Sequence, residues 1–125
     1  MDKPISNAEF QIMDVLWAEH PLAASDVAAR VKSKTRWSQR TVKTLLSRLV
    51  DKGALAHRAE GRRYLYRPLL SREEYVQDAT ETLADKLFNG RAAPFVAHLA
   101  DGRGLAADDI EELESLIAEL KRDRQ

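Results

Sequence analysis

The 125-residue chain has no cysteine. That excludes a disulfide framework, a thiolate zinc site, an iron–sulfur cluster and a cysteine nucleophile. No apolar run approaches the ~20 residues that a membrane-spanning helix needs, and the opening Met1-Asp2-Lys3-Pro4 does not read as a signal peptide. The expectation is a cytoplasmic protein with no membrane partner. Also missing are G-x-S-x-G, a P-loop, H-E-x-x-H and any glycine-rich phosphate cradle, so catalysis has no constellation to stand on. His20, His57 and His98 lie in separate regions, none three or four residues from another, and predict no metal site and no cofactor. Net charge is lacking too: 20 Lys and Arg balance 20 Asp and Glu. A composition 44% hydrophobic and 32% charged is that of a soluble folded protein. The length allows one domain, or a small domain with a helical appendage.

The zero total hides a division. Residues 1–70 carry 13 basic and 7 acidic side chains, and residues 71–125 carry 7 basic and 13 acidic, so the two parts stand at +6 and −6. Between Arg30 and Arg67, 12 basic residues face only Asp51 and Glu60. Two solvated faces that attract each other would be the plain explanation. A surplus of ten over 38 residues is large for that and points to a nucleic-acid partner.

Along the chain, Ser6-Asn7-Ala8-Glu9 has the form of a capping box. It opens a helix whose apolar face is Phe10, Met13, Leu16 and Trp17, closed by His20-Pro21. A second helix is expected over about 24–33, with Val27, Ala28 and Val31 on one side. The basic stretch Lys32-Ser33-Lys34-Thr35-Arg36 reads as a connection to a third helix, about 38–52. Ser38 is its N-cap and Gly53 lies just beyond its end. The buried stripe of this third helix is Val42, Leu45, Leu46, Leu49 and Val50. Two short strands, Ala54–Arg58 and Tyr64–Pro68, bracket a turn at 59–63, with Leu65 set against Tyr64 and Tyr66 across a half-exposed strand. Helix–helix–helix–hairpin over residues 1–70 is a winged helix-turn-helix. The fold class is therefore mainly α with a small β-hairpin, followed by a helical region over 71–125.

The third helix carries the sharpest chemistry. A helix-turn-helix reads the major groove with the N-terminal part of its second helix. Thr41 and Thr44 suit phosphates or a thymine methyl, Ser38 suits a phosphate, Lys43 and Arg40 suit guanine edges or the backbone, and Gln39 suits adenine, with Arg48 flanking the same face. An ordinary amphipathic helix with a solvated basic face is the bland alternative. Here the face is rich in basic and hydroxyl residues, and its one acid, Asp51, sits near the far end. Arg62 and Arg63, at or just past the hairpin tip, suit a narrow minor groove or adjacent phosphates, and a solvated turn is the equal alternative. Tyr64 and Tyr66 read as packing residues, because duplex DNA offers no exposed base faces. Trp17 and Trp37 read as core residues, with a phosphate contact through the indole N–H as the alternative for Trp37.

The second part is helical. Ser71-Arg72-Glu73-Glu74 offers another capping box, and Val76, Ala79, Leu83 and Leu87 then form a stripe ending near Asn89-Gly90. Phe95, Val96 and Leu99 mark a short helix interrupted by Gly102 and Gly104. Ile110, Leu113, Ile117 and Leu120 repeat at 3, 4 and 3, a seam too short for a free coiled coil and long enough to pack on a partner chain.

These residues carry a resemblance. Ile5-Ser6-Asn7-Ala8-Glu9, Met13 with Leu16-Trp17, and above all Trp37-Ser38-x-x-Thr41-Val42-Lys43-Thr44-Leu45-Leu46-x-Arg48-Leu49 resemble the penicillinase-repressor family. Lys52-Gly53 and Gly61-Arg62-x-Tyr64-x-Tyr66-x-Pro68 continue the match. The resemblance implies a homodimeric bacterial repressor on a pseudo-palindromic operator, with Ser38, Thr41, Lys43 and Thr44 at DNA and Arg62 in the wing. It also implies that residues 71–125 are a dimerisation region, with Leu83, Leu87, Phe95, Leu99, Ile110, Leu113, Ile117 and Leu120 as its contacts. Copper-responsive members carry a cysteine cluster, which is excluded here. β-Lactam-responsive members are released by an inducing protease that cuts an Asn-Phe bond. The corresponding stretch, Phe95-Val96-Ala97-His98-Leu99-Ala100, has none, and release by proteolysis or by another trigger both stay open. A winged-helix module that binds only protein would want a neutral or acidic face on the third helix, and the sequence has the reverse.

Overall fold

A computed structural model describes residues 4–124; the first three residues of the Met1–Pro4 start lie outside it. The chain divides into two compact units, Met1–Ala79 and Thr80–Gln125, the division falling within a helix.

In the first unit, α1 (Asn7–Ala18) begins at the expected capping box: Glu9 N–H donates to Ser6 Oγ at 3.1 Å and Ser6 N–H to Glu9 Oε1 at 2.8 Å. Its core face is Ile12, Met13 and Leu16 rather than the expected Phe10–Met13–Leu16–Trp17 stripe. Phe10 and Trp17 instead flank the core and meet the ring of Tyr75, with centroids 5.5 and 5.7 Å away. The Trp17 indole N–H donates to Leu70 O at 3.0 Å, so its one polar atom is satisfied. After β1 (Leu22–Ala23) come α2 (Ala24–Val31), which buries Val27 and Val31, and α3 (Gln39–Asp51), which buries Val42, Leu45, Leu46 and Leu49.

α3 stops as its sequence requires. Gly53 takes φ +81°, Ala54 N–H reaches back to Leu49 O and Gly53 N–H to Val50 O, the pair of bonds of a Schellman motif. Two strands follow, β2 (Leu55–Glu60) and β3 (Arg63–Pro68), joined through Gly61-Arg62 with Gly61 at φ +63°. Glycine at the first central position is what a two-residue type II′ connection uses.

The hairpin is part of a larger sheet than the sequence suggested. β1 pairs antiparallel with β3, Leu22 opposite Tyr66 and Ala23 opposite Leu65, giving the order β1-β3-β2. β3 is thus the central strand, which overturns the expected half-exposed alternation. Leu65 and Tyr66, adjacent in the chain and so on opposite faces of the strand, are both buried, while Arg63, Tyr64 and Arg67 are exposed. Tyr66 joins the core cluster, and desolvation there raises its phenol pKa above the ordinary value.

The remaining helices are α4 (Arg72–Phe88), α5 (Ala92–Gly102) and α6 (Ala107–Asp123). The first two turns of α4 belong to the first unit, where Tyr75 packs on α1 and Arg72 lies 3.7 Å from Asp14. In the second unit α4 ends with Asn89 and Gly90 at positive φ, and Phe88 packs on Phe95 with centroids 5.1 Å apart. α6 begins with Asp108 and Asp109 and ends with Lys121 and Arg122, charges that suit the helix dipole at each end. None of α4, α5 and α6 buries a residue.

Glu9 has a second task that the capping-box reading missed. Its side chain is only 2% exposed and meets Lys52 Nζ at 2.5 Å, while Lys52 also donates to Pro4 O at 2.8 Å. The C-cap of α3 is thereby tied to the start of α1. Burial pushes the Glu9 carboxyl up, but Lys52 and Ser6 outweigh it and hold the pKa below its ordinary value. A depressed carboxylate stabilises the fold above its unfolded pKa and loses that contribution as pH falls through the folded one. Lys52→Met leaves a buried carboxylate uncompensated and should cost about 3–5 kcal/mol at neutral pH. In urea titrations, the gap between wild type and variant should narrow as pH falls through the carboxylate range. An equal gap at every pH would contradict the pairing.

Candidate nucleic-acid interface

α3 owes its two faces to its period. At 3.6 residues per turn, Val42, Leu45, Leu46 and Leu49 face the core, and Arg40, Thr41, Lys43, Thr44, Ser47 and Arg48 are left outside. The outer face begins at Ser38, whose Oγ accepts the Thr41 N–H at 3.2 Å and lies 3.2 Å from Thr41 Oγ1. Thr44 Oγ1 donates to Arg40 O at 3.1 Å, which leaves its methyl pointing away from that bond. Gln39 is the first residue of the helix and exposed.

The cations of this face stand unneutralised. Among the described residues, Arg40, Lys43, Arg48 and Arg62 make no ion pair. Arg62 lies in the exposed turn of the hairpin. Arg63 opens β3, opposite Glu60, with their charged atoms 3.5 Å apart. Glu60 also lies 3.8 Å from Arg58. The tip therefore presents Arg62 outright and holds Arg63 against an acid. Every residue singled out for DNA, from Ser38 to Arg63, is exposed. Trp37 packs against the core beneath the start of α3, as does Trp17 under α1.

The histidines occupy unconnected settings. His20 Nδ1 is 2.7 Å from Leu16 O, the His57 and Tyr64 rings meet at a tilt with centroids 4.4 Å apart, and the His98 and Phe88 ring centroids are 5.3 Å apart. Among the described residues, no helix is long and apolar enough to cross a membrane.

The residues expected at a dimer contact fall on the three C-terminal helices: Leu83 and Leu87 on α4, Phe95 and Leu99 on α5, Ile110, Leu113, Ile117 and Leu120 on α6. Leu99 and Leu113 line a groove between α5 and α6 together with Val96, Leu105 and Leu116, and Phe95 is half-buried against Phe88. Leu83, Leu87, Ile110, Ile117 and Leu120 lie outside that groove and are exposed. Val76 on α4 is exposed as well, and so are Leu99 and Leu116 although they line the groove. Leu116 was legible as the residue three beyond Leu113 and four before Leu120, a wider stripe than a strict 3–4 seam.

A three-helix unit with an exposed basic second helix of a helix-turn-helix and a β-hairpin wing is the architecture of a DNA-binding transcription regulator. The sequence pattern of the family described as penicillinase repressor matches residues 5–119. The penicillinase repressor of Bacillus licheniformis is 30% identical over 117 residues, 94% of this chain and 91% of the relative. Among solved structures, the DNA-binding domain of the repressor BlaI matches with a TM-score of 0.54 at 36% identity, over 60% of this chain and 94% of that one. The Bacillus licheniformis BlaI monomer in complex with the blaP half-operator matches at 0.52 and 35% identity, over 60% and 92%. The chain belongs to the penicillinase repressor family. It is a DNA-binding transcriptional repressor, not an enzyme.

Proposed function

We propose that the protein works in the cytoplasm as a homodimer on a pseudo-palindromic operator, each protomer setting α3 in the major groove of one half-site. The observation that carries this reading is the division of α3 into a core face and an outer face whose cations are unpaired among the described residues. Lys43, Arg40 and Gln39 are the base-reading candidates. Ser38 and Arg48 hold phosphates, and Thr41 and Thr44 hold phosphates or a thymine methyl. Arg62 and Arg63 bring the wing to the adjacent backbone or minor groove. The relative solved with a half-operator is described as monomeric, which suits one protomer per half-site here.

Dimerisation is supported by what the C-terminal helices leave uncovered. Val76, Leu83, Leu87, Leu99, Ile110, Leu116, Ile117 and Leu120 are between 41% and 59% exposed, and the three helices carrying them bury nothing. Large apolar sets of this kind mark association surfaces, and an isologous two-fold contact matches the dyad of a pseudo-palindrome. Residues 1–70 then read DNA and residues 71–125 join the protomers. Release by an inducing protease at the Phe95–Ala100 stretch would have to act on a bond inside α5, so local unfolding of that helix would precede cleavage.

Two substitutions test the two halves. Lys43→Ala removes an exposed side chain, should leave stability within about 0.5 kcal/mol, and should weaken operator binding by roughly 1–3 kcal/mol with relaxed preference at one base pair. Equal loss on all sequences would make Lys43 a phosphate contact; no loss would contradict its place in the interface. Ile117→Asp, outside the intrachain groove, should give folded monomers in sedimentation velocity. Unchanged dimers would refute the assigned contact.

A further inference from the structure

The turn between α2 and α3, residues 32–38, carries Lys32, Lys34 and Arg36 at alternate positions. All three are exposed, and none makes an ion pair among the described residues. The acids that share a groove with Lys34 are engaged elsewhere: Glu19 with Arg30 at 2.8 Å and Asp14 with Arg72 at 3.7 Å.

The turn is also pinned. Lys34 N–H and Thr35 N–H both donate to Val31 O at 2.9 Å, Thr35 Oγ1 donates to the same carbonyl at 3.2 Å, and Trp37 N–H donates to Thr35 Oγ1 at 3.4 Å. Val31 is buried and Trp37 packs on the core, so both ends of the turn are anchored. Three unneutralised cations are thereby held on a fixed backbone just before the Ser38 cap of α3. The wing is fed from the other end of the same helix, beyond Gly53.

We propose that Lys32, Lys34 and Arg36 form a second phosphate-binding flank, so that α3 is clamped to duplex DNA from its N-terminal turn as well as from the wing. Contacts of this kind fix register and orientation and carry no base preference of their own. Lysine serves here as a point charge on a flexible stem, so the turn need only bring three ammonium or guanidinium groups near the backbone of one strand. The inference rests on the operator-binding reading above and adds residues to it.

The test compares salt dependence. Wild type and the Lys32→Gln/Lys34→Gln/Arg36→Gln variant are titrated by fluorescence anisotropy with two labelled duplexes: the region upstream of the protein's own coding sequence, and a scrambled duplex. Each phosphate neutralised contributes about −0.9 to the slope of log affinity against log salt, so three per protomer make the variant's slope shallower by about 5 for a dimer. Preference for the upstream duplex over the scrambled one should survive. A Lys32→Arg/Lys34→Arg variant should keep the wild-type slope.

A matched control, Lys121→Gln/Arg122→Gln/Arg124→Gln, changes the net charge equally at the end of α6. An unchanged slope in the turn variant overturns the proposal. So does equal flattening in the control, which would make the effect one of net charge rather than contact. Equal affinity of wild type for both duplexes would contradict the operator reading instead. The slope difference is read on either duplex and judges the turn separately.

Discussion

Everything in this molecule depends on holding α3 rigidly while leaving half of it bare. The four side chains it sends inward, Val42, Leu45, Leu46 and Leu49, are also what keeps Arg40, Lys43, Thr44 and Arg48 outward, since one helical period sets both faces. Its ends are fixed by different chemistry. Ser38 accepts the Thr41 N–H at the start, and at the finish the Gly53 Schellman turn sits beside Lys52, which reaches Glu9 and Pro4. A base-reading contact tolerates little misplacement, so a helix with both ends and one face fixed is suited to that use.

The balanced charge follows from the same arrangement. The first seventy residues hold a surplus of six positive charges and the rest an equal negative surplus. In the proposed dimer the basic face of α3 is presented twice, and the acidic helices add no net positive charge to compete with it for DNA, which helps orient the approach. The apolar faces of those helices complete the division. The first unit buries its own core, whereas α4, α5 and α6 bury no residue and leave most of their large aliphatic side chains exposed.

Much of the first unit was legible because its signals are local. The capping box at Ser6–Glu9, the Ser38 cap, the stripe of α3 and the glycine stops at Gly53 and Gly61 all act within a few residues. What escaped was non-local. β1 is two residues long and exists only because Leu22 and Ala23 meet Tyr66 and Leu65 more than forty residues later. That pairing made β3 central and buried Tyr66, against the alternation of its sequence. The Glu9–Lys52 pair likewise spans 43 positions, and a residue already explained as a cap gives no sequence sign of a second partner. In the second part, helices and apolar residues were readable. Which of them pack within the chain was not, because Leu99, Leu113 and Leu116 line the α5–α6 groove while Ile117 and Leu120 do not.

Central to the account is that two copies of α3 read two half-sites related by a dyad. Hydroxyl-radical footprinting of the region upstream of the protein's own coding sequence tests this most directly. Two protected patches on one face of the duplex are expected, related by approximate two-fold sequence symmetry. Their centres should lie a whole number of turns apart, each turn about 10–10.5 base pairs. A single protected half-site without a dyad, or protection spread evenly along the duplex, would contradict it.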